Sequence, residues 1–333
     1  MEGGIREPGY YALRVKPDII SWPVIEGKRR RVTYNTAPGI YGGLVCLFSV
    51  DNAELLAIMN DGFIQHLRVA ANAAIGVKYL SRTESRVLGI VGSGGMARSF
   101  AKAFAAVRQL ELIRVYSPSR AHTDSFVRDV ESELACRVVA MPDPESTVRG
   151  ADIVATCTNS YEPVIHGSWL KPGVHVANVT SFELGPDTCE RIEVAGLVLP
   201  RTPPSTRDYI DDDFAIRANV MSYAAGSPEE RVQLPSTSWE DQGIEDRGER
   251  YPNAVYRMCV NWDTGEAFQR QGTEEITTLA NISFGTREGD IGPSAGIQGV
   301  QFASIGGRIF ENAQANGVGQ SLPQEMFTQD IPT

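Results

Sequence analysis

The sequence has few of the residues that build metal centres or disulfide frameworks. Its 333 residues include only five cysteines and four histidines. The cysteines are odd in number and widely spaced, and neither a C-x-x-C nor an H-E-x-x-H pattern occurs. Such spacing is typical of reduced thiols in a cytoplasmic protein, which is where we expect this one, and it predicts no metal site.

Long apolar runs and an excess of positive charge are also lacking. No stretch approaches the roughly 18 apolar residues of a membrane span, and no signal peptide is evident. The net charge of −10 repels nucleic acid and anionic membranes, so we expect neither as a partner. The one dense basic run, Lys28 to Arg31, has two interpretations, a solvated turn and, less ordinarily, an anion site.

The length and composition indicate a globular protein of two domains. Hydrophobic residues make up 42% of the chain and charged residues 22%, both ordinary values. Residues 1 to 60 have the pattern of short strands and turns. The turn Asn60-Asp61-Gly62 carries a helix-start signal, and the alanine-rich segment from Phe63 to Leu80 has helical spacing.

From Arg86 onward the pattern becomes strand, turn, helix and strand, repeated. The predicted strands cover residues 87–91, 112–116, 137–140, 152–156, 175–179 and 196–200. This alternation predicts an α/β fold, a Rossmann-type doubly wound parallel sheet with helices on both faces. Residues 201–275 are polar and are interpreted as a surface excursion with one helix at Asn253 to Met258, and Gly299 to Ala315 again has helical spacing.

A glycine-rich turn follows the first strand of this region and opens a helix. It matches the G-x-G-x-x-[GA] pattern of dinucleotide-binding proteins, in which glycines allow a tight turn and let the diphosphate approach the backbone. Phosphates then bind the free N–H groups at the helix N-terminus. The candidate cofactor-binding residues are Gly92, Ser93, Gly94, Gly95 and Met96. A purely structural glycine turn is the alternative.

The tip of the second strand predicts which dinucleotide binds. NAD-binding proteins usually place an acidic residue there for the ribose hydroxyls. Here the strand ends in Ser117, Ser119 and Arg120, whose hydroxyls and guanidinium suit a 2′-phosphate. We therefore expect NADP(H) to be favoured over NAD(H). The alternative is a serine N-cap followed by an exposed arginine.

Several segments in combination resemble a known family. Residues 61–71, DGFIQHLRVAA, resemble the segment DG-x-x-T-x-x-R-T-A-A of the ornithine cyclodeaminase/mu-crystallin family. Residues 157–164 are similar to its T-x-S-x-x-P-V segment, and residues 173–176 to its G-x-H-I segment. The resemblance covers roughly residues 12–200 and 295–322.

The resemblance implies a homodimer that acts on carbon–nitrogen bonds of amino or imino acids, with hydride moving to or from a nicotinamide. It also implies an α+β substrate-binding and dimerisation domain formed from both chain ends, residues 1–80 and 285–333. Residues 81–284 would then form the Rossmann domain, with a poorly matched excursion at 201–275.

The resemblance also assigns individual residues. Arg68 matches the arginine that binds the substrate carboxylate, for which a planar guanidinium is well suited; a structural ion pair is the alternative. Lys16 resembles the active-site lysine and could assist proton transfer; a solvated strand-end lysine is the alternative. Thr158, Asn159 and Ser160 end the fourth strand, where they would meet the nicotinamide ribose, whereas the adjacent Cys157 is interpreted as a small buried residue.

One departure from the family pattern affects the expected reaction. The cyclodeaminases carry an aspartate in a loop after the fifth strand, but here Thr180-Ser181 runs directly into Phe182. The leading hypothesis is therefore an NAD(P)H-dependent imine reductase or amino-acid dehydrogenase. An ornithine cyclodeaminase-type lyase and a small-ligand binding protein like mu-crystallin are the alternatives.

Overall fold

The structure is a computed structural model that describes most of the chain. The described residues are 2–5, 9–21, 23–25, 27–30, 32–37, 39–198, 251–260, 265–270, 272, 274–280 and 294–331. The first strands are β1 Glu2–Ile5, β2 Tyr10–Val15, β3 Ile19–Ser21, β4 Val24–Ile25, β5 Lys28–Arg29, β6 Val32–Tyr34, β7 Leu44–Ser49 and β8 Leu55–Asn60.

The later strands carry the alternating pattern. They are β9 Val87–Val91, β10 Leu112–Tyr116, β11 Arg137–Ala140, β12 Ile153–Thr156, β13 His175–Asn178, β14 Val194–Leu197, β15 Val255–Met258 and β16 Thr277–Leu279. The α-helices are α1 Asp61–Leu80, α2 Gly95–Ala105, α3 Arg120–Glu133, α4 Pro144–Val148, α5 Pro186–Cys189 and α6 Ser294–Ala315.

The chain divides into two compact units. The first consists of Met1–Ile20, Thr33–Arg68 and Ala295–Thr333, and the second of Ser21–Val32 and Val69–Ser294. Helix α1 carries residues of both units. The assignment of substrate binding and dimerisation to one domain and of cofactor binding to the other stays a prediction.

The first unit contains an antiparallel sheet with one buried face. Its strand order is β1-β2-β7-β8. Alternate residues of β2 and β7, such as Ala12 and Val45, are fully buried, and they share a core with Ile64 of α1 and Phe302 of α6. This alternation is typical of a sheet with one face covered by helices.

The second unit is built on an eight-stranded sheet whose strands all pair in parallel. The order is β11-β10-β9-β12-β13-β16-β14-β15, with the change of winding direction between β9 and β12. The predicted α/β fold with a doubly wound parallel sheet is confirmed. Ligands of such sheets bind at the carboxyl edge, beside the point where the winding reverses.

Neighbouring strand residues point into two separate hydrophobic cores. Leu88 and Ile90 of β9 pack with α1, α2 and α3, whereas Val91 belongs to the core that contains Val148 of α4 and Cys189 of α5. Helices therefore cover both faces. This explains why β12, β13 and β14 are buried at every position.

The structure corrects several boundaries and one element type. Residues 255–258, predicted as part of a helix, form strand β15, so this part of the predicted surface excursion belongs to the sheet. The rest of the excursion from 201 to 250 lies outside the described residues. Strand β14 begins two residues earlier than predicted, at Val194, and α1 and α2 also begin earlier, at Asp61 and Gly95.

Two findings concern the whole described chain. All five cysteines are free thiols. Within the described ranges, no helix combines the length and the apolar character that crossing a membrane requires.

Candidate active site

The glycine turn between β9 and α2 has the geometry of a phosphate cradle. Gly92 has a φ of 111°, and a β-carbon there would overlap the carbonyl group of Cys157. Gly94 precedes α2, and space is open where its β-carbon would lie. No side chain caps the first turn of this helix, so its N–H groups and the positive end of the helix suit a diphosphate.

Arg98, which the sequence analysis did not single out, braces this turn from within α2. Its guanidinium donates to the carbonyl oxygen of Ser93 and forms an ion pair of 2.7 Å with Asp129 on α3. The sequence places Arg98 near the start of the helix. It does not indicate the ion pair, because the two partners are 31 residues apart.

The tip of β10 carries the serine N-cap that the sequence analysis gave as the alternative interpretation. Ser119 is the N-cap of α3, and its hydroxyl accepts a hydrogen bond of 3.4 Å from the backbone N–H of His122. Arg120 forms an ion pair of 2.9 Å with Asp124, but its side chain is 76% exposed. The guanidinium is therefore accessible, with no acidic residue at the strand tip from 116 to 119.

The turn after β12 is held by the buried carboxylate of Glu183, which lies in the loop after β13. One oxygen of Glu183 accepts the backbone N–H of Thr158 at 2.5 Å, and the other accepts those of Val179 and Thr180 at 2.9 and 2.8 Å. Glu183 is fully buried, and burial raises its pKa although these hydrogen bonds act to lower it. The carboxylate therefore fixes the turn that contains Thr158, Asn159 and Ser160.

The shortened loop after β13 presents an aromatic side chain where the sequence lacks an aspartate. Phe182 stacks on Tyr161 of the neighbouring turn, with ring centroids 4.4 Å apart. The carboxylate of Glu183 points inward to the backbone groups described above. Neither residue supplies an accessible acid. Cys157 is 9% exposed, and burial raises its pKa well above the usual range, as expected for an unreactive thiol.

A short hairpin brings Arg30 of the basic run onto this same turn. Strands β4 and β5 pair, and Arg30 just beyond β5 forms an antiparallel bridge with Ser160. The guanidinium of Arg30 donates to the amide oxygen of Asn159 at 3.4 Å. Of the run from 28 to 31, the structure describes the side chain of Arg30, which is half-buried.

In the first unit, Arg68 lies on α1 and is 2% exposed. It donates to the amide oxygens of Gln65 at 2.8 Å and Gln301 at 3.1 Å, and its guanidinium lies 4.9 Å from the centroid of the Phe302 ring. Burial lowers its pKa to about 9, with a further contribution from Arg14. Arg68 is therefore still a cation at neutral pH.

A second buried arginine, which sequence reasoning missed, lies beside it. Arg14 donates to both carboxylate oxygens of Asp61 at 2.7 and 2.6 Å and also lies over Phe302, at 4.8 Å. A β-carbon on Gly43 would come within 2.9 Å of the Asp61 carboxylate. The available signal was strand alternation, because Arg14 falls on the same buried face of β2 as Ala12.

Lys16 is placed differently from Arg68. It follows the last residue of β2, and its ammonium lies 3.1 Å from the carboxylate of Asp18. Its side chain keeps 24% of its surface exposed. The structure thus supports neither a deeply buried amine nor a freely solvated strand-end lysine.

Comparison with known proteins identifies a family and relatives that the chain resembles. Residues 35–194 match the sequence model of the ornithine cyclodeaminase/mu-crystallin family. The chain is 34% identical over 143 residues to ketimine reductase mu-crystallin of Mus musculus, covering 43% of this chain and 44% of that protein. It is 27% identical over 226 residues to an uncharacterized cyclodeaminase of Sinorhizobium fredii, covering 66% of this chain and 64% of that protein.

A solved structure has the same fold over almost the whole chain. The Delta(1)-pyrroline-2-carboxylate reductase of Thermococcus litoralis, in complex with NADH and L-proline, superposes with a TM-score of 0.60 at 17% identity, covering 97% of this chain and 88% of that one. The resemblance stated from the sequence is confirmed. The matches above span less than two thirds of each curated relative.

Proposed function

From the match of residues 35–194 to the ornithine cyclodeaminase/mu-crystallin family, we propose that the protein is an NAD(P)H-dependent oxidoreductase that reduces the carbon–nitrogen double bond of imino acids. The observation that carries the proposal is the glycine turn before α2, where Gly92 adopts a conformation suited to glycine and the helix N-terminus has no side-chain cap. These features fit a dinucleotide diphosphate.

The residues of the turns would hold the cofactor. Ser93 to Met96 would bind the diphosphate through backbone N–H groups, and Gly92, whose own N–H donates to the carbonyl oxygen of Tyr116, would form the tight turn. Thr158 to Ser160 would contact the nicotinamide ribose. When bound, a reduced nicotinamide supplies the hydride that adds to the imine carbon. Glu183 keeps the second turn in place through three backbone hydrogen bonds.

The first unit supplies the groups for the substrate. Arg68 would bind the α-carboxylate, since its buried guanidinium is a planar double donor. Lys16, held by Asp18, would give the imine nitrogen the one proton that the reduction consumes. The products are an amino acid and the oxidised cofactor.

The geometry favours a reductase over the lyase alternative. Release of ammonia with recycling of the cofactor needs additional proton transfers, and a general acid–base group typically contributes about 10² to 10⁴-fold. The loop after β13 offers the aromatic ring of Phe182 and a carboxylate already bound to three backbone N–H groups. We therefore expect no useful rate of proline formation from ornithine.

The test is a steady-state assay with cyclic imino acids, and with keto acids plus ammonia or methylamine, that follows loss of NAD(P)H absorbance. We expect turnover of at least one imine, with kcat/KM lower by at least about one to two decades in an Arg68→Ala variant. Cofactor binding without turnover of any imine would support the binding-protein alternative. Rapid release of ammonia and proline from ornithine would return the protein to the lyase class.

We further propose a preference for NADP(H), because Arg120 is accessible at the tip of β10 and no acid stands there. Arg120→Ala should weaken NADPH binding and leave NADH binding nearly unchanged, since the two cofactors differ only in the 2′-phosphate. The measurement is the dissociation constant of each cofactor for the wild type and for Arg120→Ala. Equal losses, or a wild-type preference for NADH, would contradict it.

A further inference from the structure

Arg30, in the basic run near the N-terminus, belongs to the second unit. The function proposed above assigns no role to this residue. We propose that Arg30 is a cofactor-binding residue whose guanidinium binds the diphosphate of the dinucleotide. The inference rests on the proposed function only in so far as a dinucleotide binds at the glycine turn.

The backbone of the hairpin fixes where Arg30 lies. Strand β4 pairs with β5 through Val24–Arg29 and Ile25–Lys28, and Gly27 makes the turn with a φ of 77°. The N–H of Arg30 donates to the carbonyl oxygen of Pro23 at 3.0 Å. The antiparallel bridge to Ser160 then attaches the end of the hairpin to the turn after β12. The position of Arg30 is therefore set by main-chain contacts, independently of its side chain.

The side chain has capacity for an anion. Its contact with the amide oxygen of Asn159 is long, at 3.4 Å, and involves a neutral acceptor. Among the residues that the structure describes, no carboxylate oxygen lies within ion-pair distance of Arg30. A guanidinium has five N–H donors, so most of its donors are available to a phosphate.

The neighbouring anion site is the glycine turn. Strand β12, which ends just before the turn that Arg30 meets, pairs directly with β9. The close approach of Gly92 to the Cys157 carbonyl group brings the two turns into contact. A diphosphate on the N–H groups of α2 would thus lie beside the turn that Arg30 contacts. Because the protein carries a net charge of −10, a local cation is needed to attract such an anion.

The expected result is a loss of affinity for both cofactors. The diphosphate is common to NADH and NADPH, so Arg30→Gln should raise the dissociation constants of both by about tenfold, the loss that one charge-assisted hydrogen bond typically causes. Arg30→Lys keeps the charge but lacks the planar donors. Its dissociation constants should therefore lie between those of the wild type and those of Arg30→Gln. This pattern differs from that of Arg120→Ala, which should affect NADPH alone.

The measurement is fluorescence titration of each purified full-length variant with NADH and with NADPH, without substrate. Arg149→Gln is the matched control. This arginine is exposed and pairs with a glutamate on α4, and it precedes the start of β12, at the amino edge of the sheet. We expect its dissociation constants to equal those of the wild type. Thermal melting of each variant checks that it is folded.

Other outcomes overturn the proposal. Unchanged dissociation constants in both Arg30 variants would show that Arg30 does not bind the cofactor. A higher KM for the imino acid with unchanged cofactor affinity would assign the guanidinium to a substrate carboxylate instead. Since the titration needs no turnover, failure of the reductase assay with intact cofactor binding would reject the reaction and leave the role of Arg30 standing.

Discussion

At the scale of single residues, the first unit contains two buried arginines. Two guanidinium groups, those of Arg14 and Arg68, lie within 5 Å of one ring, that of Phe302. Arg14 is bound to the carboxylate of Asp61 through two hydrogen bonds, whereas Arg68 donates to the amide oxygens of Gln65 and Gln301. The amide oxygens of Gln65 and Gln301 hold the orientation of the Arg68 guanidinium.

Arg68→Lys should therefore already be harmful. A lysine has a point charge and cannot make two parallel hydrogen bonds to a carboxylate. We expect kcat/KM for the imino acid to fall by about one to two decades, equivalent to roughly 1.5–3 kcal/mol, with cofactor affinity unchanged. Arg308→Lys, a change at an exposed arginine of α6, is the control. Unaltered kinetics of Arg68→Ala in a folded protein would show that Arg68 is structural.

At the scale of secondary-structure elements, the strand–turn–helix from β9 to α2 depends on two glycines for different reasons. Gly92 needs its positive φ and has the Cys157 carbonyl group against it. Gly94 has an ordinary φ of −77°, and open space surrounds its missing β-carbon. The first glycine therefore serves the fold, and we infer that the second serves the ligand.

The two alanine substitutions should separate these roles. Gly92→Ala should lower the free energy of unfolding by about 1–3 kcal/mol because of backbone strain, and more if the Cys157 carbonyl group cannot move. Gly94→Ala should leave stability nearly unchanged but weaken NAD(P)H binding, since a methyl group would occupy the approach to the backbone. Denaturant unfolding and cofactor titration measure the two effects. Equal stability of both variants would contradict this assignment.

The contact between β13 and β16 gives the stability a pH dependence. His175 is fully buried, and its Nδ1 lies 2.9 Å from the Thr277 hydroxyl, which itself donates to the carbonyl oxygen of Leu80. The ring nitrogen Nδ1 therefore carries the proton. Burial lowers the pKa of His175 to about 3, with contributions from Arg270 and Arg108. The folded protein thus keeps this ring neutral.

The direction of this pH dependence follows from the lowered pKa of His175. The unfolded chain binds a proton below its ordinary pKa of about 6.5, so the contribution of His175 is complete above that pH and is lost as the pH falls toward 3. Between pH 7 and 5 the wild type should lose about 2 kcal/mol of unfolding free energy from this group. His175→Asn, which keeps a donor for Thr277, should lack this loss. An identical pH dependence in both proteins would refute the assignment.

At the scale of the whole molecule, the first unit has an apolar sheet face opposite its core. Residues of alternate parity on β2, β7 and β8 point to this face, and they include Val15, Leu44 and Ile58, which are 51%, 49% and 43% exposed. Leu13 and Cys46 lie between them. Contiguous apolar surface of this kind is typical of an interaction site, and we propose that a second copy of the chain covers it.

Ile58→Lys should therefore convert a dimer into a monomer at micromolar concentration, because the substitution places a charge within the proposed interface. Sedimentation velocity measures the change. Val255→Lys is the control, since Val255 is exposed to a similar degree on β15 of the second unit. A wild type that sediments as a monomer, or an Ile58→Lys variant that stays dimeric, would show that this face has another role.

The sequence by itself determined the features that depend on neighbours along the chain. The run Val87 to Val91, the glycines that follow and the amphipathic helix lie within 19 residues, so β9, its turn and α2 could be predicted from local pattern. The same holds for Ser117, Ser119 and Arg120 as candidate cofactor-binding residues. These residues are candidates because each directly follows a recognisable strand.

Only the tertiary structure decided which distant residues meet. The Arg14–Asp61 ion pair joins residues 47 apart, and the contact of Arg30 with Asn159 joins residues 129 apart. Strand β16 inserts between β13 and β14, and residues 255–258 form a sheet strand although their sequence suggested a helix. No periodicity encodes such pairings, because the buried environment that stabilises them forms only when separate elements pack together.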